Sequence, residues 1–483
     1  MTQDFARKAT QGVGWNYLSF GLSKTLSLVI VSILAHLLSP DNFGVVALAT
    51  LAVDYLSVFN DFGLGAALIQ RRENVENTAN IVFTLNVVIG ATLTLLTFLI
   101  APQVATFFKE PSLTSILRWL GISFLVNALG SVHKARLQRE LNFRLKIVPE
   151  LGNVVTKGVL SISLALAGAG VWSLVYGQLL GASTATVLLW VVVPWRPVLD
   201  IKKKIAKELL KYGFPVMSEN ALSVFGDSFD YFLIGRFFDS TSLGIYTLAY
   251  RLPEMLVINT LWVLAAVIFP ALASIQTQTE ELQKSFLATI RFVQLLVTPI
   301  CFGMLVAADP IIRVVFGEQW LGSIPIMRIL SAYALVVSIG FHVGDLYKAI
   351  GRPDILIKLS IPVFIIRILA IWTGAQYSLI GVALGHLVAG TFELILRMIV
   401  TIRVVKVSVK DIVSQLTSFI GGFVLLALAI PTLYFTADSV PLVQLISVIV
   451  AGAFGYIGVI WLLERKSIMT IYQTILRRPQ KAY

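Results

Sequence analysis

Runs of roughly 20 apolar residues recur from one end of this 483-residue chain to the other. No other feature of the sequence restricts its fold as much. Each run is long enough to cross a ~30 Å hydrocarbon core as a helix. In lipid the backbone must satisfy its own hydrogen bonds, and an apolar run does so within one segment only as a helix. Fourteen spans result, at 13–37, 42–66, 79–101, 112–133, 148–169, 171–193, 211–236, 241–271, 284–307, 323–347, 354–374, 378–402, 413–436 and 440–463. Charged residues make up 13% of the chain, about half the ~25% usual in soluble proteins. The connections are too short for a soluble domain. The expectation is an all-α integral membrane protein with about 14 transmembrane helices.

Lys and Arg orient these spans. The loops after even-numbered spans are basic. One holds Lys134, Arg136, Arg139, Arg144 and Lys146, and the next Arg196, Lys202, Lys203, Lys204, Lys207 and Lys211. Later loops hold Lys348, Arg352 and Lys358, then Arg403, Lys406 and Lys410; the tail adds Arg465, Lys466, Arg477, Arg478 and Lys481. Loops after odd-numbered spans hold little beyond Lys109 and Arg313. The positive-inside rule puts both termini in the cytoplasm. The net charge of +12 therefore reads as topology, with lipid-headgroup recognition as the alternative; nucleic acid is not an expected partner. The first apolar stretch is far longer than a signal-peptide core and is read as a retained span. "ARLQRELNFRLK" (135–146) and "IKKKIAKELLK" (201–211) read as short amphipathic surface helices or plain connectors. Trp15, Trp119, Trp190 and Trp195 sit near span ends, as interface anchors do.

The chain repeats itself at an offset of 200. "SILAHLLSPDNFGVVALA" (32–49) lies over "FLIGRFFDSTSLGIYTLA" (232–249), which aligns Gly44 with Gly244, Leu48 with Leu248 and Ala49 with Ala249. "LGISFLVNALG" (120–130) and "LSAYALVVSIG" (330–340), then "GQL" (177–179) and "GHL" (385–387), follow in the same order. Six spans per repeat is an even number, so both repeats insert the same way round. Two parallel bundles facing each other across an axis along the membrane normal are expected. The expected divisions are an N-lobe at 1–210, a C-lobe at 211–410, an extra hairpin at 411–463 and a cytoplasmic tail at 464–483.

The ionisable residues inside the spans are unevenly placed. Span 1 carries Lys24 near mid-depth. Span 2 carries Asp54 and Asp61, seven residues apart and on one face. Span 7 carries Glu219, Asp227 and Asp230, which on a continuous helix share about a quarter of the circumference. Span 8 carries Arg251 and Glu254, three apart and on one face. The opening hairpin of each repeat is thus charged. Lys157, Arg291, Arg367 and Glu393 are more isolated, and Arg236 lies at the outer end of span 7. Each such charge costs at least ~2.5 kcal/mol at the bilayer centre. Two readings stand: the residues pair with one another and lock helices, or they line a hydrated cavity. In a cavity, the cations would hold an anionic substrate and the carboxylates would bind a coupling ion, H⁺ or Na⁺. Spans 13 and 14 carry one charge, Asp438, in their turn. They read either as a lipid-exposed hairpin or as a groove for a long hydrocarbon tail.

Catalytic and metal signatures are missing. The single cysteine, Cys301, forms no internal disulfide, and His36, His133, His342 and His386 have no metal-ligand spacing. No phosphate-cradling Gly-rich loop and no Gly-x-Ser-x-Gly elbow is present. No cofactor is expected.

"DFGLGAALIQRRE" (61–73), "QRELNFR" (138–144), "FPALASIQ" (269–276), "VVFGEQW" (314–320) and "GRPD" (351–354) together resemble the polysaccharide-exporter branch of the multidrug/oligosaccharidyl-lipid/polysaccharide (MOP) superfamily, over nearly the whole chain. The likeness is strongest to Wzx-type flippases of bacterial exopolysaccharide pathways. It implies a non-enzymatic inner-membrane flippase that moves undecaprenyl-pyrophosphate-linked oligosaccharides to the outer leaflet by alternating access. Polysaccharide polymerase and other export proteins would be its partners, alongside membrane lipids. It implies a lumen lined by the first two spans of each lobe and a tail groove at the extra terminal pair. Lys24, Arg251, Arg291 and Arg367 are then the candidates for the pyrophosphate or acidic sugars. Asp54, Asp61, Glu219, Asp227, Asp230 and Glu254 are the candidates for ion coupling or sugar contacts. Acids outnumber bases in spans 1, 2, 7 and 8, which keeps open export of organic cations by H⁺ or Na⁺ antiport, as in multidrug exporters of the same superfamily. A polymerase or glycosyltransferase would need a sizeable extramembrane loop, and none exceeds about 20 residues.

Overall fold

A computed structural model describes residues 2–71, 73–140, 142–199 and 202–476. Arg477, Arg478 and Lys481 of the tail, Leu141 and Ile201 of the basic connectors, and the side chains of Trp15, Arg465 and Lys466 lie outside the described residues. The described residues form helices joined by short turns, with no strand among them. Thirteen helical segments are long and apolar enough to cross a membrane. The remaining expected span, 211–236, is helical but broken at Ser228 and carries Lys211, Glu219, Asp227, Asp230 and Arg236.

Contacts divide the chain into two compact units, Met1–Thr247 and Leu248–Tyr483. The first contains α1 (Thr2–Leu37), α2 (Pro40–Asp61), α3 (Leu64–Gln70), α4 (Val75–Phe108), α5 (Leu113–Arg139), α6 (Phe143–Leu166), α7 (Val171–Val192), α8 (Lys203–Asp227), α9 (Phe229–Phe237) and the start of α10 (Ser240–Pro253). In the second, α10 runs through a π-helical turn, Glu254–Ile258, into α11 (Asn259–Ser274). Then come α12 (Thr279–Val306), α13 (Ala308–Val315), α14 (Ser323–Gly340), α15 (Val343–Ala349), α16 (Pro353–Ala375), α17 (Leu379–Val405), α18 (Val409–Ser414), α19 (Ser418–Phe435) and α20 (Pro441–Leu476). The boundary expected at 210/211 lies inside the first unit, because α8 and α9 pack on α2 and α4.

The duplication is visible in the packing of each unit. In the first, α4 packs on α5, α6 on α7, and α5 on α7. In the second, α12 packs on α14, α16 on α17, and α14 on α17. These are the same three pairings of spans, 3 with 4, 5 with 6 and 4 with 6, repeated six spans later. The extra hairpin, α19 and α20, docks α19 on α12.

Local sequence sets the breaks. Ser39 caps α2, accepting from the Asn42 amide, and Pro40 fits the first turn, where no amide is needed. Ser378 caps α17, and Ser408 with Asp411 forms a capping box on α18. Before α10, Asp239 accepts the Ser242 amide at 2.8 Å, and hydrogen bonding to Ser242 holds its carboxyl below the usual carboxylate range. The expected surface helix at 135–146 is absent as a separate element. Its first residues end α5, and those from Phe143 begin α6. Likewise Lys203 to Lys211 form the first turns of α8. α13 falls in the connection expected between spans 284–307 and 323–347, and packs on α14 and α20.

The aligned glycines of the two repeats meet. A Cβ on Gly44 would strike the backbone carbonyl of Ser240, and a Cβ on Gly244 would strike that of Pro40. Pro40 and Ser240 are themselves the aligned pair at offset 200, so the contact is self-complementary. The Ser240 hydroxyl also donates to the Asp41 carboxylate. Two helix starts touch here backbone to backbone, as small residues allow. Gly44→Leu and Gly244→Leu should each overpack this contact, at about 1–3 kcal/mol, and lower the melting temperature of the purified chain. Gly303→Leu, where no atom lies within 4 Å of an added Cβ, should leave it unchanged.

Candidate functional site

In the first unit the candidate charges divide by surroundings. Lys24 is half-buried on α1, its ammonium 5.4 Å from the Phe20 ring centroid one turn away. Asp54 is exposed on α2. Its neighbour Tyr55 ties α2 to the end of α8: its hydroxyl donates to the Ser228 carbonyl at 3.2 Å, and its ring lies 4.4 Å from Phe225. Asp227 and Glu219 are exposed on α8, and Asp227 accepts from Ser223 at 3.2 Å. The Tyr55 contacts thus bring the Asp54 turn of α2 to the Asp227 end of α8.

Two other carboxylates are engaged differently. Asp61 accepts the Gly65 amide at 3.1 Å and the Asn86 side-chain amide at 3.4 Å, and so holds the turn from α2 into α3. Asp230 was expected to share a face with Glu219 and Asp227. It does not, because the helix breaks at Ser228 and Asp230 belongs to α9. Only 1% of it is exposed, and it accepts the Tyr246 hydroxyl at 2.7 Å. Arg236 is exposed, its guanidinium 5.3 Å from the Phe107 ring centroid.

In the second unit Arg251 and Glu254 are half-buried on either side of Pro253, where α10 passes into the π-helical turn. Such turns are enriched at functional sites. Arg291 makes a two-pronged ion pair with Glu464, which is buried at the kink of α20 and also accepts the Thr417 hydroxyl at 2.7 Å. Arg367 donates to Glu393 at 3.2 Å, and Arg397 pairs with the other oxygen of the same carboxylate. Arg397 also donates to the Gly340 carbonyl at 3.2 Å, where α14 ends. Two guanidiniums therefore share one carboxylate.

Sequence reasoning missed Arg397 and Glu464. The first had a signal, since it stands four residues after Glu393 on one helix face. The second had none, because its partner is 173 positions away. Among the described residues no group of His, Cys, Asp or Glu has the arrangement to hold a metal ion.

Breaking a buried ion pair costs about 3–5 kcal/mol because one charge is left behind without its partner. Arg291→Met and Glu464→Leu should each lower the melting temperature of the full chain in detergent. The double variant should recover most of the loss. Additive losses would show that the two side chains do not act as a pair.

Comparison with known proteins agrees with this architecture. Residues 33–325 match the family described as polysaccharide biosynthesis protein. The teichuronic acid biosynthesis protein TuaB of Bacillus subtilis (strain 168) is 26% identical, over 78% of this chain and 79% of its own length. The lipopolysaccharide biosynthesis protein WzxC of Escherichia coli (strain K12) is 26% identical, over 82% of this chain and 81% of its own. Among solved structures, the lipid II flippase MurJ in an inward closed conformation shares the fold, with a TM-score of 0.77 and 17% identity, covering 94% of this chain and 99% of MurJ. An inward-facing multidrug resistance MATE transporter of the MOP superfamily follows, with a TM-score of 0.64 and 17% identity, covering 80% of this chain and 94% of its own. The matched family segment covers more than half of the sequence, and this multi-pass membrane chain belongs to the polysaccharide biosynthesis protein family.

Proposed function

We propose that this chain is a flippase. It moves an undecaprenyl-pyrophosphate-linked oligosaccharide repeat unit from the cytoplasmic to the outer leaflet of a bacterial inner membrane by alternating access, for polymer assembly outside the cell. The observation that carries this reading is the set of charges on the first unit's helices, exposed Asp54 on α2 and exposed Glu219 and Asp227 on α8, with half-buried Lys24 on α1, in a member of a polysaccharide biosynthesis family. Exposed charge at that depth is stable only against water. Hydrated carboxylates suit sugar hydroxyls or a coupling ion, H⁺ or Na⁺. Arg251 and Glu254 supply the corresponding charges in the second repeat. The relatives named as polysaccharide biosynthesis proteins support the substrate class, and the likeness to MurJ supports the fold that performs the movement.

The short connections between helices suit transport rather than catalysis. The alternation of basic loops supports cytoplasmic termini. Spans 13 and 14 fit a tail groove: α19 and α20 pack together yet expose Ile420, Phe423, Ile446 and Phe454. One observation favours a second reading. Asp54, Glu219 and Asp227 outnumber Lys24 on the first unit, as a site for organic cations would require.

Deletion of the gene in its own cell decides between these readings. Flipping predicts that the complete polyprenyl-linked repeat unit accumulates on the cytoplasmic side. Loss of that unit would indicate an enzyme. Unchanged glycolipids with new sensitivity to organic cations would indicate a drug exporter. Asp54→Asn and Asp227→Asn should each slow flipping about tenfold, the effect of ~1.4 kcal/mol in the limiting step, without lowering the melting temperature. Asp230→Asn should lower the melting temperature instead.

A further inference from the structure

The first unit contains a cavity of about 380 Å³ where α3 ends against α8. It is lined by Gln70, Arg71 and Glu73 from one side and by Glu208, Leu209 and Tyr212 from the other. The seam beneath it is tight. Gly63, at φ 69°, places its α-carbon so that an added Cβ would lie 2.7 Å from the Gly213 carbonyl oxygen. Above that contact one ion pair joins the two segments, Arg71 to Glu208 at 3.3 Å. Both side chains are partly exposed, at 27% and 50%, so water and ligands can compete for them.

The chemistry of the lining selects a kind of ligand. Among the described lining residues two carboxylates, Glu73 and Glu208, accompany one guanidinium, that of Arg71, a balance that disfavours a multiply charged pyrophosphate. Sugar hydroxyls suit it, because they donate to carboxylates and accept from guanidinium and amide N–H groups. The Tyr212 ring, 41% exposed, gives an aromatic face for the C–H side of a pyranose. The volume lies within the ~300–1,000 Å³ of small-molecule sites.

We propose that this cavity receives sugar residues of the lipid-linked substrate on the cytoplasmic side, with hydroxyls exchanging into the Arg71–Glu208 pair. That exchange loosens the tie between α3 and α8, so occupancy and release of the seam are linked. The proposal rests on the flippase reading and on the cytoplasmic placement of this end of α8.

The test uses the full chain in a polymer-producing cell, with p-benzoylphenylalanine in place of Tyr212. Irradiation should give an adduct whose mass includes polyprenyl-linked sugars. A strain blocked in the first sugar transfer should give none. Gln70→Ala and Glu208→Ala should lower the adduct yield about tenfold at equal amounts of chain in the membrane. Adducts with phospholipid alone, or equal yields in the blocked strain, would overturn the proposal. If the Tyr212 replacement fails to reach the membrane, the same probe at Glu73, which is exposed and lines the cavity, carries the same two outcomes. Accumulation of the complete repeat unit on gene deletion, together with no sugar adduct, would sink this site and leave the flippase reading standing.

Discussion

A charge at mid-membrane must be paired, hydrogen-bonded or hydrated, and that requirement sorts the ionisable groups of this chain. Arg291 with Glu464, and Arg367 and Arg397 with Glu393, meet it by pairing. Asp230 meets it through the Tyr246 hydroxyl, and Asp61 through the amides of Gly65 and Asn86. Asp54, Glu219 and Asp227 stay exposed, and Asp227 accepts the Ser223 hydroxyl at 3.2 Å. Arg291, Arg367 and Glu393, isolated in the sequence, have thus become locks, while Asp54, Glu219 and Asp227 of the repeats' opening spans stay exposed.

The same requirement explains why α8 and α9 are two helices. One continuous helix would place Glu219, Asp227 and Asp230 on a common strip. The break at Ser228 removes Asp230 from that strip and carries it inward to Tyr246. The Ser228 carbonyl at the break accepts both the Phe232 amide of α9 at 3.1 Å and the Tyr55 hydroxyl of α2 at 3.2 Å. One break therefore buries one carboxylate, leaves another exposed, and supplies the contact that brings α2 alongside.

Span number, the duplicated pairings and the charged opening hairpins were legible because each follows from periodicity, length or alignment, which are local or cumulative properties. The self-contact of Gly44 and Gly244 was half legible: alignment put them in register, and only folding brings Pro40 and Ser240 against them. Arg291 shows the limit. The carboxylate that engages it, Glu464, lies 173 positions away, beyond any local pattern. The break at Ser228 did carry a signal, since Gly226, Asp227 and Ser228 stand in succession there, but the run 211–236 was read as one continuous helix.

The extra hairpin illustrates how specificity is obtained where the hydrophobic effect is weak. Between helices in lipid, apolar surface gives little preference for one partner over another. Between Ser418 and Leu463 the hairpin carries one charge, Asp438, so apolar packing alone would leave its position poorly defined. Three polar contacts fix it. Glu464 takes both prongs of Arg291 and the Thr417 hydroxyl, Ser418 shares a hydrogen bond with Thr298 at 3.1 Å, and Tyr456 donates to the Leu295 carbonyl at 2.8 Å. Arg291, Leu295 and Thr298 are spaced about one turn apart along α12, so a single polar stripe on that helix sets the register of the hairpin. Everything else on α19 and α20 is then free to remain apolar, which is the condition for meeting a hydrocarbon tail.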